Sequence, residues 1–172
     1  MLKLIGCIFI VAASVGLAVS FGRELKEHLR LLYEIRQLLY DISQEARYSL
    51  LPVERILSFR IHPQDERLEA ICGRLCILLT EKNGESGELL WKQVFHAYGK
   101  ELGLTEMEAD IIENAGKAFF GKNMEENNRN LVLYLERLDY VIEHTRSEQK
   151  EKQRVLQTVS IMGGFMLIIL LL

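Results

Sequence analysis

The sequence lacks the short motifs by which many enzymes are recognised. It contains no glycine-rich phosphate loop, no His-Glu-x-x-His metal motif and no Cys-x-x-Cys pair. Its four histidines are scattered, and none has a serine, cysteine or carboxylate at catalytic spacing. We therefore predict a non-enzymatic protein that uses no cofactor and no metal. The competing hypothesis is an enzyme site assembled only in three dimensions, for example from Glu45, His96 and Asp110.

Proline and cysteine are also scarce. Two prolines in 172 residues leave most of the chain free to form helices. Three cysteines form an odd set without framework spacing, which fits a reduced compartment. Cys72 and Cys76 lie one helical turn apart on an apolar stripe, so we interpret them as core thiols. A structural metal would need two more ligands, for which His62 and His96 are the candidates.

Charge is absent from both ends of the chain. Residues 4–21 and 155–172 contain no Asp, Glu, Lys, Arg or His. Eighteen residues form a helix of about 27 Å, against a hydrocarbon core of about 30 Å. We predict three parts: an N-terminal transmembrane helix at 1–21, a cytoplasmic helical bundle at 22–154 and a C-terminal transmembrane helix at 155–172.

Basic residues beside the two predicted spans give the orientation. Arg23, Lys26 and Arg30 follow the first span, and a second basic group lies between Arg146 and Arg154. By the positive-inside rule the bundle faces the cytoplasm and both termini point away from it. Signal-peptide cleavage after Ala18-Val19-Ser20 is the alternative, which would export the bundle. We favour one continuous helix because the amphipathic pattern follows the span without a loop signal.

Small residues recur within both spans, where they allow close packing of helices or self-association. These positions are Gly6, Ala12, Gly16, Gly163 and Gly164. The interior of the chain carries 20 Lys and Arg against 24 Asp and Glu, and this acidic balance argues against nucleic-acid binding.

Apolar residues spaced by three and four along the middle predict an all-α, antiparallel bundle of about six helices, with the first and last continuing into the transmembrane helices. We predict that the first helix ends near Leu51-Pro52, that Pro52 lies in the first turn of a short helix, and that a third helix starts at Pro63. Ser86, Thr105 with Glu108, and Asn123 with Glu126 are the caps predicted for the last three helices. The positions that form the pattern in predicted helices three to six are Leu68, Ile71, Leu75, Leu78, Leu89, Leu90, Val94, Phe95, Tyr98, Met107, Ile111, Ile112, Ala115, Phe119, Leu131, Leu135, Leu138, Ile142 and Thr145.

Four residues are candidates for binding a partner. Glu45 and Tyr48 lie at the end of the first cytoplasmic helix, just before Pro52. Trp91 is the single tryptophan and has two interpretations, an anchor of the bundle core or an exposed docking residue.

Taken in order, these residues resemble the stage III sporulation protein AB family of endospore-forming bacteria. The resemblance rests on Glu45-x-x-Tyr48 followed by Pro52, on Leu90-Trp91, on Gly116, on Phe120-Gly121, and on the two terminal spans. The chain departs from the family pattern at Val53, Ala115 and Phe120, and at Met124 and Asn128, where an acidic residue and a glutamine are usual.

The resemblance implies a fold and a role. The soluble part is similar to the cytoplasmic domain of type II secretion F proteins, so the bundle is expected to share that fold. The expected role is a platform in the mother-cell membrane, within the channel apparatus joining mother cell and forespore. The resemblance also implies that the bundle docks the sporulation channel ATPase (stage III sporulation protein AA), and that other membrane proteins of the same operon are its neighbours. The alternative is a generic membrane-anchored interaction or signalling module unrelated to sporulation.

Overall fold

A computed structural model shows a chain built of helices. It describes residues 2–49, 51–81, 84–121 and 123–171; the side chains of 2–22, of most positions after 155 and of a few isolated positions are not described. No strand occurs within these ranges, so the all-α prediction is confirmed. The helices are α1 (Leu2–Ser49), α2 (Val53–Phe59), α3 (Glu66–Glu81), α4 (Gly87–Tyr98), α5 (Glu106–Ala115), α6 (Lys117–Phe120) and α7 (Met124–Leu171).

The chain divides into two compact units. One is formed by Leu31–Ile142, and the other by Met1–Arg30 together with Glu143–Leu172. A search of the described residues found no helix with the length and apolar character needed to cross a membrane.

Most side chains of the two predicted spans, 4–21 and 155–172, lie outside the described residues. This applies to Gly6, Ala12, Gly16 and Gly164, whose predicted packing role stays a prediction. Gly163 is described, and it is exposed, with nothing within 4 Å of a Cβ atom added to its backbone.

Helix boundaries follow local hydrogen bonds. Helix α1 ends at Ser49, as the Leu51-Pro52 pair predicts, and Pro52 is the N-cap of α2 rather than part of its first turn. Helix α3 begins at Glu66, three residues after the predicted Pro63. The reason is that the Asp65 carboxylate accepts the backbone N–H groups of Arg67 at 2.9 Å and Leu68 at 3.3 Å, which makes Asp65 the cap.

The three caps predicted for the later helices are present. The Ser86 hydroxyl accepts the N–H of Leu89 at 3.3 Å. Thr105 and Glu108 form a complete capping box, in which each side chain accepts the other residue's backbone N–H. The Asn123 side chain accepts the N–H groups at the start of α7, from residues 125 and 126.

The predicted fifth helix is in fact two helices, α5 and α6, separated at Gly116. In an unbroken helix the Gly116 N–H would bond to the carbonyl of Ile112. That carbonyl instead accepts the indole N–H of Trp91 at 2.8 Å, and the Gly116 N–H turns to the carbonyl of Asn114. The Trp91 side chain from α4 therefore ends α5 at this point, although the spacing of the apolar residues predicted that the helix continues.

The core of the Leu31–Ile142 unit consists of apolar side chains from all seven helices. Most positions of the predicted pattern are buried, but Met107, predicted to be buried, is exposed and Leu78, predicted to point inward, is half-buried; Leu89 on α4 is also exposed. Met107 points outward because the neighbouring Glu108 turns inward to complete the capping box and is itself buried. Phe119 and Leu135 are half-buried.

Candidate docking surfaces

Trp91 is the centre of the core between α4, α5 and α6. Its side chain has no solvent exposure, and its ring centroid lies 4.6 Å from that of Phe95 and 5.2 Å from that of Phe119. Its Nε1 atom donates to the Ile112 carbonyl. Of the two interpretations of Trp91, the structure shows the core anchor, and no part of the indole is available to a partner.

A groove of about 700 Å³ lies beside this core. The end of α1 and the start of α2 form one wall, and α6 with the first turn of α7 forms the other. Its lining residues are Ser43, Ala46, Arg47, Leu51, Pro52, Val53, Glu54, Ala118, Phe119, Phe120, Gly121, Glu125, Asn127 and Asn128.

Two close contacts hold the α6 wall of the groove in place. The Phe120 ring packs on the backbone of Gly87 at the start of α4, where an added Cβ would lie 2.3 Å from a ring carbon. The Asn127 amide donates to the Gly121 carbonyl at 2.8 Å, so the turn between α6 and α7 is tied to α7. The wall is therefore fixed by both neighbouring helices.

The groove is apolar at its centre and charged at its edge. Leu51 is exposed, and Phe119 and Phe120 are half-buried, which gives it an apolar centre. Arg47 and Glu125 stand exposed at its edge. Apolar and aromatic side chains surrounded by polar ones are typical of protein interfaces.

The other three predicted partner-binding residues are divided between two faces. Pro52 lines the groove. Glu45 and Tyr48 lie on the other side of α1, because successive helical residues are about 100° apart around the axis. Tyr48 is 81% exposed, and the Glu45 carboxylate lies 3.9 Å from Nε of Arg60, just after α2. The sequence did not single out the phenylalanines of the groove as binding residues, although Phe120 was among those that carry the family resemblance.

The thiols of Cys72 and Cys76 pack inside or against the bundle. Burial raises the pKa of the Cys72 thiol to about 12, and the nearby Glu69 carboxylate acts in the same direction. The half-buried Cys76 donates to the Glu54 carbonyl at 3.3 Å. Within the part of the chain that the structure describes, no three His, Cys, Asp or Glu residues come together as metal ligands.

The three residues of the enzyme hypothesis have separate partners. Glu45 pairs with Arg60, as described above. His96 Nδ1 lies 2.9 Å from a carboxylate oxygen of Glu113. The Asp110 carboxylate accepts the side-chain amide of Asn114 at 2.9 Å. Each of the three thus takes part in a different side-chain pair.

Over the residues that the structure describes, the chain is an all-α protein with a partly apolar groove between α1, α2, α6 and α7. Comparison of the sequence with protein families matches residues 3–172 to the family described as Stage III sporulation protein AB (spore_III_AB). The chain belongs to this family, which confirms the resemblance seen in its motifs. The match supports a sporulation-related role and is not to a known enzyme family.

A curated relative spans the same length. The chain is 21% identical over 176 residues to the protein named "Stage III sporulation protein AB" of Bacillus subtilis (strain 168), with 100% of each chain covered. A search of the solved structures finds no match. The similarity to the type II secretion F fold stays a prediction.

Proposed function

We propose that this protein is a non-enzymatic platform component of the channel apparatus that joins mother cell and forespore. Residues 4–21 and 155–172 hold it in the mother-cell membrane with the bundle in the cytoplasm, where it docks the sporulation channel ATPase (stage III sporulation protein AA). Other channel membrane proteins, or further copies of the chain, are its neighbours in the membrane. The observation that carries this proposal is the groove between α1, α2, α6 and α7.

The charge pattern supports the membrane orientation. Both basic groups that flank the uncharged stretches lie on the side of the bundle, and only Lys3 lies beyond. Positive residues are retained on the cytoplasmic side during insertion. The bundle would then be presented to cytoplasmic partners at the membrane.

The geometry of the groove supports docking of a protein. Its 700 Å³ accommodates several apolar side chains of a partner. Its wall is preformed by the Phe120–Gly87 and Asn127–Gly121 contacts, so binding requires little ordering of this side. Glu45 and Tyr48, on the other side of the same helix end, add a charged and an aromatic contact for a large partner that reaches around α1.

Co-purification of the ATPase with the full-length chain tests this proposal. Glu45→Lys and Leu51→Asp are expected to lower the recovered ATPase at least fivefold, because one reverses a charge and the other places a carboxylate in the apolar groove. Glu81→Lys and Ile77→Asp on the exposed face of α3 are matched controls and should retain wild-type recovery. Wild-type recovery with both Glu45→Lys and Leu51→Asp would remove these surfaces from the proposed interface.

A further inference from the structure

A second cleft lies between α5 and α7 and shares no lining residue with the groove. Its volume is about 380 Å³. Three large apolar side chains that line it stand open to solvent: Met107 is 63% exposed, Leu133 52% and Tyr140 69%. Exposed methionine and tyrosine side chains grouped around a concave surface are characteristic of protein interfaces.

The positions of Met107, Leu133 and Tyr140 on their helices explain why these side chains point away from the core. The capping box of α5 draws Glu108 inward and leaves Met107 facing the cleft. On α7 the buried positions Leu131 and Leu138 form one stripe, and Leu133 and Tyr140 form another, seven residues apart on a different side. Helix α7 therefore has two apolar stripes, of which the second does not enter the core.

Charges around the cleft are predominantly negative. Asp110 and Glu136 line it, and one turn before the lining residues lie the exposed Glu106 on α5 and the exposed Arg129 on α7. Arg137 is the cation among the lining residues. Counted together, three carboxylates stand against two guanidinium groups, and this negative balance favours a positively charged occupant.

The length of the surface limits the shape of the occupant. Seven residues separate Leu133 from Tyr140, which is about 10 Å along a helix. An amphipathic helix of about three turns, with apolar residues at i, i+3 or i+4 and i+7, covers that distance. We propose that this cleft is a second docking surface, which binds a basic amphipathic helix of a protein partner through Met107, Leu133 and Tyr140 and through the carboxylates around them.

Peptide binding to the full-length chain in an uncharged detergent tests this inference. The probe is a fluorescein-labelled helical peptide of 15 residues with a leucine stripe flanked by lysines, and its twin carries glutamate in place of each lysine. Fluorescence anisotropy should show binding of the lysine peptide and at least tenfold weaker binding of the glutamate peptide. Because the attraction is partly between exposed charges, binding should weaken as salt rises.

Variants decide whether the cleft is the binding site. Asp110→Lys combined with Glu136→Lys should weaken binding at least tenfold, and Met107→Ser combined with Leu133→Ser at least fivefold. Glu81→Lys and Ile77→Ser on α3 are the charge and apolar controls and should remain within twofold of wild type. Glu45→Lys should also retain binding, since the proposed ATPase contact is elsewhere.

Three results would overturn the inference. If the cleft variants and the α3 controls lose peptide binding to the same extent, the peptide is attracted non-specifically to an acidic protein. Equal binding of both peptides by the wild-type chain would exclude a basic helix as the occupant. Unchanged peptide binding in the cleft variants, with a loss of self-association in sedimentation, would identify a second copy of the chain as the occupant.

Discussion

Gly116 lies directly against the indole of Trp91. A Cβ atom added to Gly116 would be 2.7 Å from Cδ1 of the tryptophan, closer than carbon atoms approach without displacement. The backbone of Gly116 is helical, with φ −52°, so the glycine is required by space and not by an unusual torsion angle. This contact positions α6, and with it the Phe119 and Phe120 side chains that face the groove.

Gly116→Ala should therefore destabilise the protein, by about 1–3 kcal/mol, because the buried indole would have to move. Gly73→Ala is the matched control: Gly73 is exposed in the middle of α3, with nothing within 4 Å of an added Cβ. There alanine should stabilise by up to about 1 kcal/mol through its higher helix propensity. Chemical denaturation followed by circular dichroism measures both, and equal effects of the two changes would contradict the proposed packing.

Asp65 predicts a defined pH dependence. The hydrogen bond from the Arg67 side chain lowers the pKa of Asp65, burial opposes this, and the backbone N–H groups of Leu68 and Arg67 lower it further. The unfolded chain binds the proton more tightly, so the stabilisation is fully present above the ordinary pKa of about 3.9 and is lost as pH falls through the lower folded value.

Asp65→Asn tests the contribution of the negative charge of Asp65 to stability, because asparagine retains the ability to cap the helix. We expect the variant to be less stable than wild type by about 0.5–1 kcal/mol at pH 6, since it loses the charge next to the helix N-terminus. The difference should shrink below pH 4 as the wild-type carboxylate takes up its proton. Denaturation curves at pH 6, 4 and 3 measure it, and a difference that grows towards acid pH would contradict the assignment.

Arg36 lies between Leu32 and Leu39, two fully buried positions of α1, and the structure shows its partner. Its guanidinium pairs with both carboxylate oxygens of Asp139 on α7, with the Nη2 contact at 2.9 Å, and this hydrogen bonding raises the pKa of Arg36. Both side chains are partly exposed, which limits the strength of the pair. A double-mutant cycle with Arg36→Ala and Asp139→Ala should give a coupling of about 0.5–1 kcal/mol that decreases in 0.5 M salt. Zero coupling at low salt would contradict the pairing.

Cys72 should be unreactive in the folded protein. Because burial raises the pKa of this thiol to about 12, very little of the reactive thiolate is present at pH 8. In a variant that retains Cys72 and has serine at Cys7 and Cys76, an aromatic disulfide reagent should react at least a hundredfold more slowly than after unfolding in urea. Serine at position 76 replaces the thiol that donates to the Glu54 carbonyl with a shorter hydroxyl donor, so the fold of the variant is checked by circular dichroism. Fast reaction of the folded chain would contradict the burial of Cys72.

Local signals predicted most of the fold. The caps at Ser86, Thr105 and Asn123 and the helix stop before Pro52 depend on side chains within a few residues, so the sequence contains the information. The spacing of the apolar residues also predicted the buried stripe of α7, and Leu138 and Ile142 are buried as that spacing predicts.

The shifted start of α3 and the outward Met107 follow from local caps at Asp65 and Thr105, whereas the break in the predicted fifth helix depends on a contact between distant segments. The break at Gly116 requires the Trp91 indole from α4 to take the Ile112 carbonyl, and no pattern within α5 indicates it. The groove likewise joins Leu51 to Phe120, almost seventy residues later. In the sequence, Leu51 and Phe120 belong to separate motifs. Only the folded chain brings the two residues to one surface.

The orientation of the bundle is the central claim, because an ATPase in the cytoplasm can bind only a domain on that side. Single cysteines at Glu85 and at Leu2, in a chain with serine at positions 7, 72 and 76, test it in intact cells with a membrane-impermeant maleimide. We predict that the cysteine at position 2 is labelled, and that the one at position 85 is labelled only after the cells are permeabilised. Labelling of position 85 in intact cells, or a mature chain that begins near residue 21, would contradict the proposed function.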